Sequence, residues 1–358
     1  MRVVIAGGGT AGHVVPALAL AEELDGHEVV FVGTPRGAEA TLVPRAGFPL
    51  ETISVHGFDR SRPVTLLPTG FGALRAVAAS WKLLRRLDAD AVVGMGGYVS
   101  LPVCAAAGAR RVPVVLHEQN IVLGLANRVC KLFARKIAVS FEETLRQTGR
   151  KGVCFGNPVV SELIDADLSV ERERGIARFD LDPARKTLIF FGGSQGARTI
   201  NDAASGLAAA WADRADRQVL HITGRAAAAE ERPETNLVYR AVPFAERMVE
   251  AYAVADLAVC RGGATTVAEL CVVGLPAIIV PYPFHRDRQQ ERHGRILEEA
   301  GAAIVLPDGD ATGERVAAEA DRLLEDGPRL KRMSEAARLR ARPDAAARLA
   351  SLVQDVAS

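Results

Sequence analysis

The sequence predicts an α/β protein of two tandem domains, each a parallel sheet covered by helices, and three observations carry this. Apolar, β-branched runs such as "RVVIA", "EVVFVG", "VPVVLH" and "TLIFFGG" alternate with helical patterns, and strands covered on both faces of a parallel sheet read as such unbroken runs. The chain has 358 residues, more than one hydrophobic core usually spans. Finally, the opening strand, glycine loop and helix, "VVIAGGGTAGHVVPALALAEEL", are echoed about 185 residues later by "LIFFGGSQGARTINDAASGL", which makes both domains Rossmann-like.

Taken in order, Val3–Ala6 is the first strand and runs into glycines 7, 8, 9 and 12 and a helix. Strands are then expected at Glu28–Val32, Glu51–Ser54, Ala91–Val93, Val112–His117, Lys136–Val139 and Val153–Phe155, with helical patterns between most of them. The polar, charged stretch Gly156–Thr187 interrupts the alternation, which restarts at Leu188–Phe191. That break sets a domain boundary near residue 160. The domains are expected at 1–160 and 161–340, with a C-terminal helix over 341–358 that can pack back on the first. Both sheets should point the carboxyl ends of their strands at a shared cleft.

Net charge is +1, but residues 1–160 carry 18 Lys and Arg against 12 Asp and Glu, and the remainder 26 against 31. The basic excess concentrates in Arg60–Arg86, which has six basic residues and no acidic one. Its helical part sets Leu74, Val77, Trp81 and Leu84 at i, i+3, i+7 and i+10, with Phe71 ahead and Arg75, Lys82, Arg85 and Arg86 alongside. Such a face suits either docking on the sheet with a solvated basic edge or an anionic bilayer surface. The five cysteines are scattered without metal-ligand spacing, as expected of core thiols in a reducing compartment. A strand beginning by Val3 leaves no room for a signal peptide, and no apolar run reaches the roughly 18 residues of a membrane span. A cytosolic protein, at most attached to a membrane surface and with no nucleic-acid partner, is the expectation.

The first loop matches G-x-G-x-x-G at Gly7, Gly9 and Gly12. A dinucleotide site also needs an acidic residue at the end of the second strand for the ribose. That strand ends "FVGTPRG", with Glu39 only beyond a Pro-Gly turn. The second domain is better equipped. "GGSQGAR" places Ser194 at a helix start, and "RGGATT" does the same for Gly262 to Thr266, both suited to a diphosphate. Glu269, one turn further, can accept both hydroxyls of a ribose, and "HRDRQQ" supplies Gln289 and Gln290 for sugar hydroxyls.

In matching order, "GGTAGHVVPALA", "GMGGYVSLP", "HEQN", "GNPV", "GGSQGAR", "CRGGATTVAE" and "DRQQ" span Gly7 to about Ala303. In these motifs the chain resembles the MurG-type UDP-N-acetylglucosamine:lipid-pyrophosphoryl N-acetylmuramoyl-pentapeptide N-acetylglucosaminyltransferases of bacterial cell-wall synthesis. The resemblance implies the two-domain GT-B fold and inverting transfer of N-acetylglucosamine from UDP-N-acetylglucosamine to the muramoyl C4 hydroxyl of lipid I, giving lipid II. It implies no metal and no cofactor, a polyprenyl-pyrophosphate-linked acceptor, and a peripheral place at the cytoplasmic face of the cell membrane. Carried over, the donor contacts fall on Thr10, Ala11, Gly12, Asn120, Ser194, the backbone near Phe244 and Ala245, then Ala264, Thr265, Thr266, Val267, Ala268, Glu269, Gln289 and Gln290. The chain departs from the family at Ala11, where glycine is usual, at Val160, where an arginine commonly follows "GNPV", and at His293–Gly294, where the family has Asn-Ala.

Transfer from a nucleoside-diphosphate sugar requires a stabilised leaving diphosphate, a base for the attacking hydroxyl, and exclusion of water. Helix N-termini meet the first need, with Arg261 as an additional candidate. His13, at a helix start where the dipole favours neutral imidazole, is the first choice as base, and Glu118 the second. Gly97, Tyr98 and Ser100 lie at a strand-to-helix turn suited to the acceptor pyrophosphate. The "DAD" at Asp88–Asp90 imitates a D-x-D metal motif but sits at a helix-to-strand turn. A polyprenyl tail would give the segment with Phe71, Leu74, Arg75, Trp81, Lys82, Arg85 and Arg86 its purpose, docking on an anionic membrane. The competing readings are a UDP-N-acetylglucosamine 2-epimerase or another glycosyltransferase of the same fold, an NAD-dependent dehydrogenase, and a nucleotide-sugar sensor without turnover.

Overall fold

The computed structural model describes residues 1–54, 66–224, 236–285 and 287–358, with backbone alone over 66–71. It divides into two compact units, Met1–Val160 with Arg342–Ser358, and Ser161–Ala341.

The first unit is built on a seven-stranded sheet in the order β3-β2-β1-β4-β5-β6-β7, every neighbouring pair parallel. Its strands are β1 (Arg2–Ala6), β2 (Glu28–Gly33), β3 (Leu50–Thr52), β4 (Ala91–Gly94), β5 (Val114–Glu118), β6 (Lys136–Val139) and β7 (Gly152–Cys154). The helices between them are α1 (Ala11–Glu22), α2 (Glu39–Arg45), α3 (Leu66–Leu87), α4 (Ser100–Ala109), α5 (Leu125–Cys130) and α6 (Leu145–Thr148). β1 illustrates why the strands read as continuous apolar runs. Val3 and Ile5 face Val14, Leu20 and Phe31 on one side, while Val4 and Ala6 face Leu84, Val103 and Leu116 on the other, so both faces are core. The fifth strand begins two residues later than Val112 because Pro113 has no N–H for the ladder. It also runs one residue further than expected, carrying Glu118 into the buried sheet end.

The second unit holds a six-stranded parallel sheet ordered β10-β9-β8-β11-β12-β13. Its strands are β8 (Lys186–Phe191), β9 (Arg217–Ile222), β10 (Val238–Val242), β11 (Leu257–Cys260), β12 (Ala277–Ile279) and β13 (Ala303–Val305). Around them lie α7 (Ser161–Ile164), α8 (Leu168–Phe179), α9 (Arg198–Ala210), α10 (Met248–Val254), α11 (Ala264–Val273), α12 (Gln289–Glu299), α13 (Gly313–Leu324) and α14 (Gly327–Leu339). Leu188 and Phe190 of β8 pack with Ile200, Leu207, Trp211, Val316 and Leu323 in one core cluster. The chain then returns to the first unit as α15 (Ala345–Ala357), whose Leu349, Ala350 and Val353 complete the cluster around Val3 and Ile5.

In each sheet the order reverses at the first strand of its unit, β1 or β8, with consecutive neighbours on one side and a jump on the other. Doubly wound sheets bind ligands at the carboxyl ends of the strands flanking that reversal. The loops after β1 and β4 in one unit, and after β8 and β11 in the other, therefore define the candidate sites.

Candidate active site

In the first unit the loops after β1 and β4 touch through glycine. Gly97, at φ +77°, approaches Gly8 so closely that a Cβ would stand 2.6 Å from the Gly8 carbonyl oxygen. Ser100 is fully buried, and its Oγ lies 2.8 Å from the Ala6 oxygen and 2.7 Å from the Gly96 oxygen, tying the two strand ends together. Its place is that of a clamp beneath the turn rather than a contact for a ligand, whereas Tyr98 is 56% exposed. His13 sits in the first turn of α1 with Nδ1 3.1 Å from the Thr10 hydroxyl. Thr10 is the N-cap residue, but its side chain caps no backbone N–H and is spent on the imidazole. Gly96, at φ +94°, lies against the ring edge, where a Cβ would come 3.0 Å from Nε2 and 2.9 Å from Cδ2. Burial holds the His13 pKa below the ordinary 6.5, opposed by the charge of Glu39, so the ring is neutral near pH 7. In the tautomer whose Nδ1–H is directed to the Thr10 oxygen, Nε2 keeps the lone pair a base needs.

Glu39, set aside in the sequence as lying beyond a turn, is the carboxylate that the loop itself uses. It is 1% exposed and accepts from Gly9 N at 2.8 Å, Thr34 N at 2.7 Å and Thr34 Oγ1 at 2.8 Å. A ribose-binding acid must be open to ligand; this one faces inward with both oxygens occupied, which removes the dinucleotide reading. The only hint in the sequence was the ring of glycines, Gly8, Gly33 and Gly37, whose Cβ atoms would each collide with the Glu39 side chain.

Glu118 is likewise saturated. It is buried and accepts from Asn120 N at 3.0 Å, Asn120 Nδ2 at 3.1 Å, Gly124 N at 2.9 Å and Asn127 Nδ2 at 2.9 Å. Burial raises its pKa and these four bonds oppose the rise. With no open lone pair directed outward it braces the loop after β5, so the expectation of Glu118 as alternative base is corrected. His117 is buried between the Gly156 oxygen at 3.2 Å and the Gln119 amide at 3.1 Å, and burial lowers its pKa to about 4.

In the second unit two glycine-rich loops start helices without a side-chain cap. α9 begins after Ala197 and α11 after Gly263, neither of which has a side chain to cap its helix, so both present positive dipole ends of the kind that hold diphosphates. Gly196, at φ +79°, and Gly224, at φ +87°, press the first loop onto the end of β9. Ser194 is exposed at the tip of that loop. Within α11, Ala264 and Val267 turn into the core, so Thr265, Thr266, Ala268 and Glu269 form the outward part of the expected stretch. Glu269 Oε2 accepts from the hydroxyl of buried Tyr252 on α10 at 2.7 Å. Burial raises the Glu269 pKa to about 7, and the Tyr252 bond restrains it. Phe244 and buried Ala245 lie between β10 and α10. Gln289 is half-buried at the first residue of α12, while Gln290 Oε1 accepts from Tyr282 N at 2.9 Å and so braces a neighbouring loop.

The expectation for Arg261 changes as well. Arg261 is not a free cation for a diphosphate: its guanidinium donates to Asp308 and to the oxygens of Val280 and Pro281, each at 3.1 Å. Asp308 also accepts from Thr199 Oγ1 at 3.1 Å, linking the end of β11 to the first turn of α9. His293, where the family has asparagine, is buried and places Nδ1 3.0 Å from the Gly262 oxygen, so it supports the second glycine loop from behind. Gly294 lets α12 lie tight on the sheet, for a Cβ there would stand 3.0 Å from Val305 and 3.1 Å from Ile279.

The "DAD" forms the turn between α3 and β4, with Asp88 at φ +47° and Asp90 accepting from Arg2 N at 2.6 Å. Along α3, Leu84 is buried in the sheet's core, whereas Leu74 is 70% and Trp81 37% exposed. The helical stripe thus splits between core and solvent. Trp81 lies under two guanidinium groups, Arg110 at 5.1 Å and Arg85 at 5.9 Å. Arg75, Lys82 and Arg85 are exposed, and Arg86 pairs with Glu51 at 2.8 Å. Arg60–Thr65 and the side chain of Phe71 lie outside the described residues. Among the described residues no helix is long and apolar enough to cross a membrane.

Comparison with known proteins bears on the family and the fold. Residues 3–139 match the glycosyltransferase family 28 N-terminal domain, and residues 187–349 the glycosyltransferase family 28 C-terminal domain. Over 364 residues the chain is 43% identical to a UDP-N-acetylglucosamine–N-acetylmuramyl-(pentapeptide) pyrophosphoryl-undecaprenol N-acetylglucosamine transferase of Nocardioides sp., covering 99% of this chain and 98% of the relative. A protein of the same description from Halothermothrix orenii is 38% identical, covering 100% and 99%. Among solved structures, MurG of Acinetobacter baumannii is 30% identical, with a TM-score of 0.74 over 99% of each chain. A UDP-GlcNAc 2-epimerase from Neisseria meningitidis shares the fold, with a TM-score of 0.69 at 13% identity.

Proposed function

The chain belongs to glycosyltransferase family 28, and on that premise we propose that it transfers N-acetylglucosamine, with inversion, from UDP-N-acetylglucosamine to the muramoyl C4 hydroxyl of lipid I, giving lipid II for peptidoglycan synthesis. Full-length similarity to relatives of that description carries the reading.

The second unit binds the donor. Glu269 takes the ribose hydroxyls, the backbone near Phe244 and Ala245 the uracil, and Thr265, Thr266, Ala268 and Gln289 the remaining polar groups. The N–H groups at the starts of α9 and α11, with Ser194, stabilise the leaving diphosphate, so the reaction needs no divalent cation. The first unit binds the acceptor, with Gly97 and Tyr98 toward its pyrophosphate and Thr10, Ala11, Gly12 and Asn120 toward the transferred sugar. His13 Nε2 removes the proton of the attacking C4 hydroxyl as the oxygen displaces UDP from the anomeric carbon. Exposed Leu74 and Trp81 with Arg75, Lys82 and Arg85 dock the protein peripherally on the anionic cytoplasmic face of the membrane, where the polyprenyl tail of the acceptor resides.

The test is donor turnover with and without a lipid-linked muramoyl acceptor, in the presence of a chelator. UDP release that requires the acceptor and is indifferent to chelation is expected. Epimerisation of UDP-N-acetylglucosamine without acceptor would replace this reading with the epimerase, and loss of activity on chelation would remove the metal-free part.

A further inference from the structure

We infer that Glu39 is a positioning residue of the transfer reaction, holding the Gly7–Gly12 loop in the shape that presents His13 to the attacking hydroxyl. The inference rests on the reading of His13 as base.

Three segments of the chain open to admit this one carboxylate. A Cβ on Gly8 of the first loop, on Gly33 at the end of β2, or on Gly37 of the following turn would fall on the Glu39 side chain. Into that space Glu39 brings both oxygens: Oε1 accepts from the N–H and hydroxyl of Thr34, and Oε2 from the N–H of Gly9. Gly9 has φ +92°, so its N–H points where an ordinary loop residue's would not. A second link returns from the same segment, Ala38 N to Gly9 O at 3.4 Å. The loop's curvature before Thr10 is thereby fixed from behind, and Thr10 in turn holds the His13 ring.

Charge adds to shape. The hydrogen bonds to Glu39 outweigh its burial and hold its pKa below the usual carboxylate value, so it is ionised at neutral pH. The titratable groups that act on His13 among the described residues are Glu39, which favours the imidazolium, and His117, which is neutral near pH 7. As the base takes its proton it becomes a cation in a buried setting, and the fixed negative charge of Glu39 offsets part of that desolvation.

The experiment compares Glu39→Gln, Glu39→Asp and His13→Ala in the full chain, reading kcat against pH at saturating substrates and the Kd for UDP. Glutamine keeps the shape and the Thr34 bonds but sets an amide N–H against the Gly9 N–H. We expect kcat to fall by about tenfold or more, the acid limb of the kcat profile to move to lower pH by about half a unit or more, and UDP affinity to stay within about twofold, since its site is in the other unit. Aspartate keeps the charge but is too short to reach both Thr34 and Gly9, so kcat should fall with the acid limb unmoved. Unaltered UDP binding certifies the fold of the second unit, and an unaltered far-ultraviolet spectrum that of the first. Wild-type kcat and limb in Glu39→Gln, alongside a large loss in His13→Ala, would overturn the role of Glu39 alone. Near-normal kcat in His13→Ala would overturn the base reading and this inference with it.

Discussion

Tyr252 donates its hydroxyl hydrogen to Glu269 across 2.7 Å, from α10 to α11, and among the described residues this is the one hydrogen bond of the half-buried carboxylate. Burial raises the Glu269 pKa to about 7, so the group is part protonated at neutral pH. An ionised carboxylate accepts two ribose hydroxyls, and a protonated one offers only a weaker acceptor set.

The Kd for UDP should therefore rise as pH falls. A carboxyl with pKa about 7 is mostly ionised at pH 8 and mostly protonated at pH 6. If only the ionised form binds tightly, Kd increases toward tenfold per unit below 7 and levels off above it. Calorimetry in two buffers of different ionisation enthalpy should detect a released proton on binding near pH 7. In Glu269→Gln the pH dependence and the proton release should both vanish, with weaker binding throughout. A Kd flat from pH 6 to 8 in the wild type would exclude a titrating Glu269 at the ribose.

Tyr252→Phe isolates the supporting bond. The ring contact with Phe191, a T-shaped pair at 5.7 Å, does not involve the hydroxyl and survives. Removing the donor leaves burial unopposed, so the Glu269 pKa rises further. At pH 7 the donor KM should increase about three- to tenfold, on the order of 1 kcal/mol for the lost charged hydrogen bond, while kcat at saturating donor changes little. The difference from wild type should shrink at pH 8.5, where the carboxylate is ionised in both. An equal KM deficit at both pH values would mean that Tyr252 acts by packing alone.

How much of this was legible follows from the range over which each feature is encoded. The strands and the glycine loops were, because their signals are local: β1 needs only five consecutive residues with apolar partners on either face. Glu269 and His13 were singled out because each stands at fixed spacing from a glycine loop. Long-range partners were not. Glu39 meets Gly9 across 30 positions and Arg261 meets Asp308 across 47, and nothing in either segment alone says which side chain turns inward. Glu118 looked like a second base because a sequence carries a carboxylate's identity but not the four donors that saturate it. The stripe on α3 was legible only in part for the same reason, since its periodicity cannot tell that Leu84 lies in the core while Leu74 and Trp81 are exposed.

Gly96→Ala tests whether the space beside His13 matters. The position has φ +94°, which costs a residue with a Cβ about 1 kcal/mol or more, and that Cβ would stand 2.9 to 3.0 Å from the imidazole. The ring must shift or the loop must open. We expect kcat to fall by about 10- to 100-fold, approaching the roughly 10²- to 10⁴-fold loss of His13→Ala, with UDP affinity unchanged in both. Additive losses in the double variant would show that the two residues act independently, whereas a double variant no worse than His13→Ala would show that Gly96 acts through the imidazole.

The α3 surface makes the last prediction. Leu74 and Trp81 are exposed and flanked by exposed Arg75, Lys82 and Arg85, and the Trp81 ring lies under the Arg85 and Arg110 guanidinium groups. An apolar contact ringed by cations is suited to the boundary between headgroups and acyl chains, where each basic residue near an anionic surface contributes about 1 kcal/mol. Reversing Arg75, Lys82 and Arg85 to Glu replaces attraction by repulsion and should weaken binding to phosphatidylglycerol vesicles by more than 100-fold at low salt. Trp81→Ala with Leu74→Ser should weaken it less, and with little dependence on salt, because only the apolar part is lost. Neither variant touches His13 or Glu269, so turnover of a short-chain, water-soluble acceptor should remain within about twofold of wild type. Vesicle binding that survives the charge reversal would place the membrane contact on another face.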